Sequence, residues 1–106
     1  MIQVSFLTLK SGELVGFWIQ GHSGYAEEGS DIVCAAVSSA AYMTANTILE
    51  VLGISADVTA EDGDMRLRVS PKDAALCRTL FAGLKLHLIG LEEQYPTNID
   101  VSYTEV

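Results

Sequence analysis

The chain of 106 residues carries six basic and fourteen acidic side chains, a net charge of −8, and is 49% hydrophobic. This length holds one hydrophobic core and not two, and the composition excludes a disordered segment. The acidic balance repels phosphate backbones, which argues against RNA or DNA as a direct ligand and favours encounter with a basic protein segment.

Ile2, Val4, Phe6 and Thr8 alternate with Gln3, Ser5 and Leu7, the period-two pattern of a strand. Lys10-Ser11-Gly12-Glu13 supplies a turn, and Leu14 to Gln20 is rich in Val, Phe, Trp and Ile, so an N-terminal hairpin is expected. Gly21 to Gly29 reads as a glycine-punctuated loop. Ser30 is then the expected N-cap of a helix that runs to about Leu52, where Gly53 stops it. Ile32 to Leu49 contains no charged residue and reads as a helix buried on most sides, not as a membrane span.

Ile54 to Ala60 and Met65 to Ser70 flank Glu61-Asp62-Gly63-Asp64, whose Asp-Gly pair signals a second hairpin. Ser70-Pro71 opens a second helix, with Leu76, Leu80, Phe81, Leu84, Leu88 and Leu91 expected on one apolar stripe. Pro96 marks its end, and Ile99, Val101 and Tyr103 alternate as a last strand. The order β-β-α-β-β-α-β predicts a single α+β domain over residues 1–106. Its architecture is a two-layer sandwich, two helices packed on one mainly antiparallel sheet. The charge-poor first helix leaves apolar surface for a second subunit, so a homodimer is expected. Met1 to Leu9 is too short and too alternating for a signal peptide, which points to the cytoplasm, where Cys34 and Cys77 are reduced thiols.

Two residues carry the chemistry. Cys34 falls in the first turn of the helix that Ser30 opens, where free N–H groups and the helix dipole favour a thiolate. The same N–H groups are placed to stabilise an oxyanion. His22 stands at the other end of the loop and is the residue type that takes a proton from a thiol and returns it to a leaving amine. Gly21 and Gly24, beside Ser23 and Tyr25, form the part of the loop expected to admit and touch a peptide. Asp31 and Ser38, three residues before Cys34 and four after it, share its helical face. Asp31 either orients His22 or serves only the helix start, and Ser38 either faces the site or packs. Cys77 and His87 form no metal-ligand pair, and no phosphate loop or dinucleotide fingerprint occurs, so neither a metal nor a cofactor is expected.

Gly21-His22, Tyr25-Ala26, Gly29 and Asp31-x-x-Cys34-Ala-x-x-Ser38 together resemble the signature of the bacterial ribosomal-processing cysteine proteases. The resemblance covers nearly the whole chain. It implies Cys34 as nucleophile and His22 as base, with Gly21, Asp31 and Ser38 matching the other recurring positions. It implies as substrate a ribosomal protein of the large subunit, from which a short N-terminal extension is removed. Two rival readings remain beside it: a non-enzymatic ribosome-assembly adaptor that binds a basic protein tail, and a thiol redox sensor pairing Cys34 with Cys77.

Overall fold

The computed structural model describes residues 1–24, 26 and 31–106. Strands β1 (Ile2–Thr8) and β2 (Leu14–Gln20) form the first hairpin; helix α1 (Ile32–Asn46) follows; β3 (Ala56–Glu61) and β4 (Asp64–Val69) form the second. Helix α2 (Ala74–Gln94) and strand β5 (Ile99–Glu105) complete the chain. The sheet order is β3-β4-β2-β1-β5, antiparallel except for the β1–β5 pair, so the sheet is mixed and the expected α+β architecture holds.

The alternation read from the sequence is the alternation of burial. Val4 pairs with Ile19 and Phe6 with Phe17, and these in turn stand opposite Met65 and Leu67 of β4. All six are buried and share one sheet face, because side chains in register across a ladder point the same way. The helices cover that face: Val33, Val37, Ala41 and Ala45 of α1, and Ala74, Cys77, Phe81, Leu84 and Leu88 of α2, are buried. Phe17 and Phe81 meet edge to face at 6.5 Å between ring centroids. Both helical segments, Ile32–Val51 and Pro71–Gln94, are by length and composition long and apolar enough to cross a membrane; in this fold their apolar stripes cover the sheet.

Three local expectations are corrected. The α2 stripe runs 74, 77, 81, 84, 88, so Cys77 is fully buried while Leu76, one residue or about 100° away, is 66% exposed. Next, α1 ends at Asn46 and passes into a π-helical turn over Thr47–Val51, with Gly53 at φ +66° just beyond. The hydroxyls of Thr44 and Thr47 donate to the carbonyls of Ala40 and Met43 at 2.8 and 2.7 Å, in competition with the ordinary helical ladder. Finally, the cap expected at Ser30 lies outside the described residues, and the N-cap of α1 is Asp31.

Candidate active site

Strand β2 runs into Gly21, whose φ of +87° and contact with Met1 exclude a side chain: a Cβ there would stand 2.7 Å from the Met1 carbonyl oxygen. The Gly21 N–H donates to the Gly63 carbonyl at 2.8 Å, which ties the start of the loop to the two-residue β3–β4 turn. His22 is exposed and its ring lies over that turn, with Nε2 3.1 Å from the point a Gly63 Cβ would occupy. The Asp-Gly hairpin therefore does more than reverse the chain. Its glycine leaves the space the imidazole fills.

Opposite stands the first turn of α1. Cys34 is the third helical residue after the Asp31 cap and is half-buried. His22 and Cys34 line one groove of about 190 Å³ with Gly21 and Ser38. Ile2, Ile19, Val37, Ala41 and Met65 supply its apolar lining, and Glu61, Asp62 and Asp64 of the β3–β4 hairpin its acidic rim. Among the described residues, Cys34 Sγ accepts from the Ser23 N–H, at 3.3 Å, and not from the His22 ring.

Asp31 is not turned toward His22. Its Oδ1 accepts the N–H groups of Val33 and Cys34, each at 3.0 Å, and its Oδ2 accepts the Ser23 hydroxyl. Of the two roles open in the sequence, the structure selects the helix-start acid. Burial works to raise the Asp31 carboxyl, but hydrogen bonds from Ser23, Cys34 and Val33 outweigh it and hold the group below its ordinary value. The same contacts correct the oxyanion expectation, since the Val33 and Cys34 N–H groups are already engaged by Asp31. Ser38 lines the groove; Ser23, expected at the substrate, is buried and joins Asp31 to the sulfur. Gly24 is exposed at φ +72°, and Tyr25 lies outside the described residues.

The thiol corrects a further expectation. Burial pushes Cys34 above the ordinary thiol value; the Ser23 N–H acts downward, and the Asp31 carboxylate beside it acts upward. Around Cys34, burial and the Asp31 carboxylate both favour the thiol over the thiolate. Cys77, fully buried in α2, has formed no disulfide with Cys34. Among the described residues no three His, Cys, Asp or Glu side chains gather as metal ligands. The sequence reading missed Gly63 beneath His22, although its Asp-Gly turn was visible, and missed Asn98, whose Nδ2 donates to the Ser23 carbonyl at 3.0 Å.

The sequence profile of the family described as Cysteine protease Prp matches residues 1–100. The chain belongs to the Prp cysteine protease family. It is 26% identical over 105 residues to the ribosomal processing cysteine protease Prp of Staphylococcus aureus (strain Mu50), covering 97% of this chain and 99% of that protein. To the Prp of Bacillus subtilis (strain 168) it is 24% identical over 108 residues, covering 96% of each. The crystal structure of S. aureus Prp with a covalently linked product peptide superposes with a TM-score of 0.89 at 25% identity, over 98% of this chain and 100% of that one. The structure of SMU.848 from Streptococcus mutans gives 0.79 at 28% identity, over 100% and 96%. Membership of Prp makes the chain a cysteine protease, and the adaptor and redox-sensor readings fall behind it.

Proposed function

We propose that the protein is an endopeptidase that removes a short N-terminal extension from a ribosomal protein of the large subunit, with Cys34 as nucleophile and His22 as its base. One observation carries this reading: the thiol and the imidazole, from elements separated by a loop, open onto one groove with an apolar lining and an acidic rim. The lining suits an apolar stretch of peptide, and the rim suits the basic character of a ribosomal protein.

In the proposed reaction His22 takes the Cys34 proton and the sulfur attacks the scissile carbonyl carbon, forming a C–S bond as the carbonyl π electrons move to oxygen. Collapse of that intermediate expels the amine, which receives the proton from His22. Water, deprotonated by His22, then releases the acyl group and restores the thiol. With the Val33 and Cys34 amides held by Asp31, the Ser23 N–H, 3.3 Å from the sulfur, is a backbone donor beside the reacting atoms. Closure of the loop over bound peptide would bring His22 to the sulfur and exclude water, assisting ionisation of a thiol that burial raises.

The protein is further proposed to act in the cytoplasm as a homodimer. Two unpaired cysteines support the compartment. The uncharged α1, with Ile32 and Met43 exposed, supports the second subunit. Light scattering that shows only monomer at micromolar concentration removes the dimer, and growth-dependent recovery of the protein outside the cell removes the compartment. The catalytic reading is tested with the extended ribosomal protein: the parent shortens it at one bond, and Cys34→Ala and His22→Ala leave it intact. Cleavage by Cys34→Ala at the parent rate overturns it.

A further inference from the structure

Ser23 joins the two halves of the site. It is 2% exposed, its N–H reaches the Cys34 sulfur at 3.3 Å, its hydroxyl donates to Asp31 Oδ2, and its carbonyl accepts from Asn98 Nδ2 at 3.0 Å. Asn98 comes from the far end of the sequence, in the turn between α2 and β5. Its backbone is pinned there: its N–H donates to the Tyr95 carbonyl at 3.0 Å, and its carbonyl accepts the Ile2 N–H at 2.8 Å. The side chain thus projects from a fixed point onto the residue that follows His22.

The segment it holds needs an anchor. Gly21 and Gly24 bracket His22 and Ser23 at φ +87° and +72°, conformations glycine reaches without strain and leaves as readily. Asp31 grips the Ser23 side chain, and the Asn98 amide grips its carbonyl. Rotation of Ser23 about its own backbone would turn the N–H away from sulfur and carry His22 with it. β5, by contrast, is placed by its backbone ladder with β1 from Ile2↔Ile99 onward, which does not use the Asn98 side chain.

We propose that Asn98 is a positioning residue of the protease, which by holding the Ser23 carbonyl aims the Ser23 N–H at Cys34 and sets the place of His22. An uncharged amide suits this role, since it donates strongly to a carbonyl and adds no charge beside the Asp31–Cys34 pair. The role rests on Cys34 being the nucleophile. An N–H aimed at sulfur favours the thiolate over the thiol, so misaiming it makes the thiol harder to ionise.

The test compares the parent with Asn98→Ala and the near-isosteric, uncharged Asn98→Leu. Readouts are kcat and KM on the extended ribosomal protein, the pH midpoint of Cys34 alkylation by iodoacetamide, and thermal unfolding. In both variants kcat falls about tenfold, in line with a lost, partly buried hydrogen bond, with KM within about twofold. The alkylation midpoint moves to higher pH, and the melting transition stays cooperative. Unchanged kcat and an unchanged midpoint in folded Asn98→Leu overturn the proposal. Loss of cooperative folding in both variants also overturns it, because Asn98 is then a folding residue. If Cys34→Ala itself cleaves, the nucleophile assignment fails; a Cys34-dependent parent with silent Asn98 variants removes the positioning role alone.

Discussion

The Asp31 carboxylate accepts the amide N–H of Cys34 at 3.0 Å, so the residue that caps helix α1 also stands guard over the thiol. It satisfies two of the orphan donors at the helix start, and its charge opposes ionisation of the sulfur it helps to place. Structure and reactivity pull against each other in one side chain.

Replacing that side chain separates the two effects. In Asp31→Asn an oxygen remains to cap the helix, while the charge beside Cys34 is gone. The pH midpoint of Cys34 alkylation falls relative to the parent, in which burial and Asp31 hold it above that of an ordinary thiol. In Asp31→Ala the cap is lost as well, at a cost of about 1–2 kcal/mol in chemical denaturation. A midpoint that rises in Asp31→Asn contradicts the assignment of Asp31 as a charge opposing the thiolate.

Stability follows pH in a way set by the same groups. The Asp31 carboxyl lies below its ordinary value, so its contribution is present above about pH 4 and is lost as the pH falls through the folded value. Cys34 and Cys77 are both raised, first by burial, so their contributions are complete below about pH 8.5 and are lost as the pH rises through the folded values. Thermal unfolding followed from about pH 3 to pH 10 should show a plateau with a fall at each end. Cys77→Ser should weaken the alkaline fall, and a curve unaltered by it would remove Cys77 from this explanation.

The two hairpin turns, β1–β2 and β3–β4, offer a matched pair of glycines. Gly63 and Gly12 both have positive φ, at +71° and +90°, but a Cβ on Gly63 meets the His22 ring while one on Gly12 meets nothing within 4 Å. Gly63→Ala and Gly12→Ala should each lose about 1 kcal/mol or more of stability, the cost of a side chain in that conformation. Only Gly63→Ala should also lower kcat/KM, by about tenfold, through displacement of His22. Equal activity in the two variants would show that the β3–β4 turn does not position the imidazole.

Much of this was legible in the chain. Alternation in β1 marked the buried sheet face, since side chains in a strand repeat every second residue; in β5 it holds for Ile99, buried, and in part for Val101, while Tyr103 is exposed. Asp62-Gly63 announced the second hairpin by turn chemistry suited to a two-residue connection. His22 and Cys34 were legible because a loop between a strand end and a helix start can bring its two ends together. What was hidden depended on distance in sequence. Asn98 reaches Ser23 across the whole chain, and no local pattern marks it. The α2 stripe was misplaced because Leu76 is more hydrophobic than Cys77, yet helical spacing buries the cysteine. The thiolate expectation counted the helix dipole but not burial, the largest influence raising the thiol and a three-dimensional fact.

The sulfur of Cys34 must carry the substrate. Acid quenching of the parent during turnover of the extended ribosomal protein, followed by digestion and mass spectrometry, should find the N-terminal fragment joined as a thioester to the peptide containing Cys34, and no such adduct in His22→Ala. Cleavage that proceeds at full rate in Cys34→Ala would contradict the proposed mechanism.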